Sequence, residues 1–116
     1  MNFNEYQKEA HTFAVYPLLS IRAEEIDTEF VYPTLGLVGE AGEFAEKIKK
    51  IIRNKNGKLD LDDYLSLEKE LGDVMWYVAE LATVLHSNLE DIAKENINKL
   101  SSRKERGVIK SEGDNR

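Results

Sequence analysis

The chain has 116 residues, of which 41% are hydrophobic and 33% charged, a composition that fits one modest folded domain. It has no cysteine, which excludes disulfides and thiolate metal sites. Its net charge of -6 disfavours nonspecific nucleic-acid binding. The polar start of the chain does not read as a secretory signal. The longest apolar run, Val74 to Ala79, is far too short to span a bilayer. A cytoplasmic protein with no membrane partner is the expectation. The charge is uneven: Lys94 to Arg116 is basic, with seven basic and four acidic residues, whereas the rest is strongly acidic.

The period of apolar residues is helical throughout, with no sustained alternation. A first helix is expected from about Phe3 to Tyr16, capped by Asn2 with Glu5 as the reciprocal partner and ended by Pro17. Residues 18 to 32 are ambiguous. Pro33 suits the first turn of a second helix, which runs to about Arg53. The Asn54-Lys55-Asn56-Gly57 run stops it. A third helix starts at Asp60 or Asp62 and continues to about His86. Ser87 and Glu90 have the spacing of a capping box for a fourth helix, Leu89 to Lys104. Short links between four helices predict an all-α, antiparallel four-helix bundle over residues 1–106, with 107–116 as a tail. Leu67, Leu71, Val74, Val78, Leu81, Ala82 and Leu85 form one apolar stripe on the third helix, while Trp76, Tyr77 and Val84 lie outside it. That is more apolar surface than one bundle covers, so a homodimer or homotetramer is expected.

The chemistry concentrates on the second and third helices. Glu40 and Glu43 are three residues apart, as are Glu70 and Asp73, so each pair shares a helix face. Packed antiparallel, the two helices can bring four carboxylates together. Such a group repels itself unless a cation intervenes, and hard oxygen donors select magnesium, manganese or calcium. Acidic pairs at this spacing also occur on ordinary solvated faces. Against that plain reading, Glu70 and Asp73 align with Tyr77 and Val84 rather than with other charges. Gly36, Gly39 and Gly42 recur every three residues at a cost of about 1 kcal/mol each relative to alanine, which suggests close approach to that backbone. Only Glu43 has a lysine four residues on, Lys47. On the fourth helix Asn96, Lys99 and Arg103 share a face, either as phosphate contacts or as solvated side chains. His11 and His86 belong to no Glu-x-x-His pair, which argues against a di-iron centre.

The stretch Gly36-Leu37-Val38-Gly39-Glu40-Ala41-Gly42-Glu43, with Glu70-Leu71-Gly72-Asp73-Val74-Met75-Trp76-Tyr77, resembles the paired signature of the MazG family of nucleoside triphosphate pyrophosphohydrolases. Asn4-Glu5-Tyr6-Gln7 and Asn96-Ile97-Asn98-Lys99-Leu100-Ser101-Ser102-Arg103 extend the resemblance over nearly the whole chain. It implies magnesium-dependent hydrolysis of a nucleoside triphosphate to monophosphate and pyrophosphate, with manganese as a possible substitute. It implies Glu40, Glu43, Glu70 and Asp73 as metal ligands and catalytic residues, and Tyr77, Asn96, Lys99 and Arg103 as substrate contacts. Many members carry a glutamate just before the first ligand; here that position is Gly39. Related all-α deoxyuridine-triphosphatases, phosphoribosyl-ATP hydrolases and a non-catalytic helical dimerisation module are the alternatives. The glycine- and arginine-bearing tail is expected either to fold over bound nucleotide or to stay free.

Overall fold

The computed structural model describes residues 1–16 and 28–107. It contains four α-helices, α1 (Phe3–His11), α2 (Val31–Lys55), α3 (Leu61–Val84) and α4 (Leu89–Glu105), with a 3-10 turn at Thr28–Phe30 leading into α2. No strand occurs among the described residues, in keeping with the helical period of the sequence. No helix among them is long and apolar enough to cross a membrane. The ambiguous stretch 18–32 is described only from Thr28, and the tail beyond Gly107 lies outside the described residues.

Local chemistry explains most of the boundaries. Asn2 accepts from the Glu5 backbone N–H at 2.9 Å and Glu5 returns the bond, closing the expected capping box. Contrary to expectation, α1 ends at His11, five residues before Tyr16. Thr12 folds its hydroxyl back onto the Glu9 carbonyl at 2.6 Å and the last turn closes with tighter bonds, so the helix stops well before Pro17. Helix α2 starts two residues before Pro33, because the 3-10 turn already supplies helical backbone. It ends where Asn56 and Gly57 both take positive φ, 53° and 76°, and bond back to the Ile51 carbonyl. Asp60 and Asp63 form the capping box of α3. The cap of α4 is Asn88, not Ser87: its side chain accepts from the Asp91 N–H at 2.9 Å, and the Ser87–Glu90 box does not form. Asn88 wins because α1 has claimed the next donors. Gln7 accepts from the Leu89 N–H at 2.8 Å and Asn4 from the Glu90 N–H at 3.3 Å.

Helices α2 and α3 form a long hairpin. Lys55 meets Asp63, Lys47 meets Glu70, and Gly36 meets Tyr77, the register of antiparallel neighbours. Helix α1 packs on α3, and α4 packs chiefly on α1. The expected antiparallel four-helix bundle is therefore only partly realised within one chain, since the hairpin does not enclose α4. The core is small: Ala10, Ala79, Ala82 and Leu89, flanked by Tyr6, Trp76 and Val78, with Ile51 and Leu67 buried elsewhere along the hairpin. Alanines at 79 and 82 let α1 approach closely, and the Trp76 indole N–H donates to the Ala10 carbonyl at 3.1 Å. This buried face takes in only part of the stripe expected from periodicity: Leu67 and Ala82 are buried and Val78 packs on the core. Leu71 and Leu85 of that stripe are 54% and 58% exposed, and Met75 beside them is also exposed. Among the described residues, this exposed edge of the stripe stays uncovered in a single chain.

Candidate metal and phosphate site

The middle of the hairpin brings the acidic pairs together. One carboxylate oxygen from each of Glu40, Glu70 and Asp73 lies within 4.8 Å of the other two. Glu40 and Glu70 are half-buried and Asp73 is exposed, so the group sits at a mouth rather than in a sealed core. Glu43, the fourth expected ligand, is exposed and falls outside this tight trio. It remains close enough to be felt. The Glu40 carboxyl titrates above its ordinary value of 4.5, first because burial strips its water and then because Asp73, Glu70 and Glu43 repel its charge. Three hard oxygen donors at this separation, one of them resisting ionisation, fit a divalent cation.

The cluster already holds one cation. Lys47 places its ammonium 2.7 Å from Oε1 of Glu70 and donates to the Ser66 hydroxyl. Its spacing from Glu43 suggested a partner on its own helix, but the pair crosses to α3. The reason is geometric: the antiparallel register seats Lys47 against Ser66 and Glu70, whereas Glu43 points to water.

Aromatic residues frame the other side. A β-carbon added at Gly36 would fall 2.2 Å from the Tyr77 ring, so the tyrosine lies directly on the α2 backbone. The expected close approach therefore exists at Gly36 alone. At Gly39 and Gly42 an added β-carbon would have nothing within 4 Å among the described residues. The Tyr77 phenol is raised above its ordinary value of 10.0 by burial, then by the charges of Tyr32, Glu40 and Asp73. Trp76 stands edge-on to Tyr77 at 4.9 Å between ring centres. Tyr16 stacks on Tyr32 at 4.9 Å and meets the Trp76 edge.

The fourth-helix residues are placed elsewhere. Asn96 and Lys99 line a groove of about 550 Å³ with Ser87, Asp91, Ile92 and Glu95, none of them from α2 or α3. The Arg103 side chain is buried at 6% exposure rather than extended into solvent. Within the single chain these three residues do not join the carboxylate trio.

Glu80 was legible only as the residue that ends the apolar run. It is fully buried. His11 Nδ1 lies 3.1 Å from its Oε2, and the Tyr16 hydroxyl donates to the same oxygen at 3.2 Å. His11, set aside as a metal ligand, thus docks α1 onto α3. The signal available was the position of Glu80, seven residues beyond Asp73 and two turns along one side of the helix.

An all-helical scaffold with a carboxylate trio suited to a hard divalent cation defines the class. The chain belongs to the MazG nucleotide pyrophosphohydrolase family, whose domain matches residues 33–108, both acidic pairs and the whole of α4 included. It is 48% identical over 118 residues to the Gene 37 protein of Mycobacterium phage L5, with all of both chains covered. No solved structure matches the chain.

Proposed function

We propose that this protein hydrolyses a nucleoside triphosphate to the monophosphate and pyrophosphate with magnesium, manganese being a possible substitute. The observation that carries the reading is the convergence of Glu40, Glu70 and Asp73 across the α2–α3 hairpin. These three would hold the ion, with Glu43 one turn from Glu40 as the outer carboxylate. When bound, the metal supplies positive charge that offsets the charge developing on the phosphate oxygens.

The chain's own residues do the rest. Water attacks a phosphorus flanking the oxygen between the α- and β-phosphates. That P–O bond breaks, its electron pair stays with the bridging oxygen, and a water proton passes to a carboxylate. Glu43 is suited to take it, because it is exposed and outside the tight trio. Tyr77, fixed against Gly36, offers a protonated hydroxyl and a ring face to the sugar or base. Asn96, Lys99 and Arg103 are assigned to phosphate through assembly with a second copy. The exposed Leu71, Met75 and Leu85 and the apolar groove of Phe3, Val78 and Ile92 provide the surface for that assembly.

The test is to incubate the protein with common and damaged nucleotides plus magnesium and identify the products. Monophosphate and pyrophosphate in equal amounts are expected. Stepwise release of orthophosphate would refute the reading.

A further inference from the structure

Lys47 is placed oddly for a surface lysine. Its ammonium is inside the first ring of charge around the proposed metal site, 2.7 Å from a carboxylate that is 13% exposed. It also lines a separate cleft of about 290 Å³ on the side of the cluster nearer the closed end of the hairpin. Lys50, Asn54, Lys55, Asp63 and Ser66 complete most of the wall. The cations in this cleft are not equivalent. Lys55 is tied to both Asp60 and Asp63 at 2.8 Å, clamping the turn between the helices. Lys50 has no ion pair among the described residues. The Asn54 side-chain carbonyl accepts from Arg53 at 3.3 Å, which leaves its NH2 to donate. The cleft therefore offers two ammonium groups, an amide and a hydroxyl to an oligophosphate anion, at the edge of a site that would hold the anion's metal.

We propose that Lys47 is an exchangeable counter-ion: it neutralises Glu70 while the site is metal-free, and it turns to hold the pyrophosphate end of the substrate, with Lys50 and Asn54, once a divalent cation takes Glu70. This rests on the pyrophosphohydrolase reading and assigns where the outgoing pyrophosphate lies. The physical argument is competition. A cation and Lys47 cannot both satisfy Glu70 at close range, and like charges a few ångströms apart repel. Metal entry expels the ammonium from the carboxylate, and the nearest unmet demand for positive charge is then the phosphate chain. A permanent structural salt bridge would behave differently, because it would support the metal site or ignore it rather than compete with it.

The experiment measures binding and requires no turnover. Calorimetry with manganese alone compares the wild type, Lys47→Gln and Lys47→Arg, and a second titration adds pyrophosphate at saturating manganese. Lys47→Gln should bind manganese about threefold or more tighter, since a competing charge is gone. It should bind pyrophosphate about tenfold weaker, having lost a charge-assisted contact. Lys47→Arg should stay near wild type in both. Lys50→Gln should weaken pyrophosphate alone. Unchanged or weaker manganese binding in Lys47→Gln overturns the exchange, and unchanged pyrophosphate binding overturns the cleft assignment. In either case wild-type manganese binding leaves the proposed function standing. If the wild type binds no manganese, that reading and this one fall together.

Discussion

Helix α3 carries two acidic environments that differ in almost every respect. Glu70 and Asp73 sit at the mouth of the hairpin with Glu40, carboxylates facing carboxylates, with one lysine paired to Glu70. Glu80, two turns on from Asp73, is fully buried and among the described residues bonds to His11 and Tyr16. Crowded acids at a mouth are held against their own repulsion and are useful to a cation. A buried acid among donors ties elements together and has no room for one. The contrast teaches that what surrounds a carboxylate, more than its presence on a helix, separates a ligand from a structural anchor.

The largest expected effect is on turnover. Asp73→Asn and Glu70→Gln should each lower kcat/KM by at least about 10²-fold, as loss of electrostatic stabilisation at the reacting phosphate implies, with the helical circular dichroism unchanged. Their stabilities should part. Asp73→Asn only relieves repulsion and should leave the metal-free protein unchanged or slightly more stable. Glu70→Gln also removes the Lys47 ion pair and should gain nothing. Near-full activity in either variant removes that residue from the site.

Glu80→Ala should act on stability instead. Leaving His11 and Tyr16 without their shared acceptor, together with a cavity, should cost about 3 kcal/mol in urea denaturation. Manganese affinity should stay within a factor of about two of wild type, because Glu80 is not part of the trio. A loss of metal binding without loss of stability would merge the two environments and break the comparison.

Glycine substitutions sharpen it on the facing helix. Gly36→Ala drives a methyl group into the Tyr77 ring and should destabilise by about 1–3 kcal/mol, the usual range for overpacking. Gly42→Ala meets open space and should stabilise by up to about 1 kcal/mol. Equal effects at the two positions would contradict the register of the hairpin.

The smallest effect is in the pH dependence, where the two environments share a sign but act in different pH windows. Glu40 has a folded-state pKa above its ordinary 4.5, so the folded protein holds its proton more tightly than the unfolded chain. Metal-free stability should therefore fall as pH rises from about that value through the raised one. Magnesium or Glu40→Gln should abolish the decline. Tyr16, beside Glu80, is raised from 10.0 to about 12, first by burial and then by the Glu80 charge. Its contribution should be fully present below pH 10 and be lost between there and about 12. Tyr16→Phe should flatten that alkaline limb in a thermal melt series. A rise in metal-free stability across the acid window would refute the crowding of Glu40.

The sequence by itself determined the helical class, the hairpin and the two acidic pairs. These follow from signals written over a few neighbouring residues: the 3.6-residue period, the Asn2–Glu5 capping box, an aspartate at 60 or 62 to start α3, the Asn56-Gly57 stop and the i, i+3 spacing of the acids. The MazG resemblance rests on the same local patterns. Contacts between residues far apart in the chain have no such local record. Periodicity put Leu71, Ala82 and Leu85 on one stripe but could not say that α1 would dock on the alanines at 79 and 82 and leave the two leucines exposed. Nor could it show that Gln7 and Asn4 would cap α4 from 82 and 86 residues away. Only the tertiary structure decided that Lys47 answers Glu70 rather than Glu43, and that Glu80 is an anchor rather than the edge of a wet face. The physical reason is that a helix fixes which residues share its faces, while the partner of each face is set by how separate helices dock.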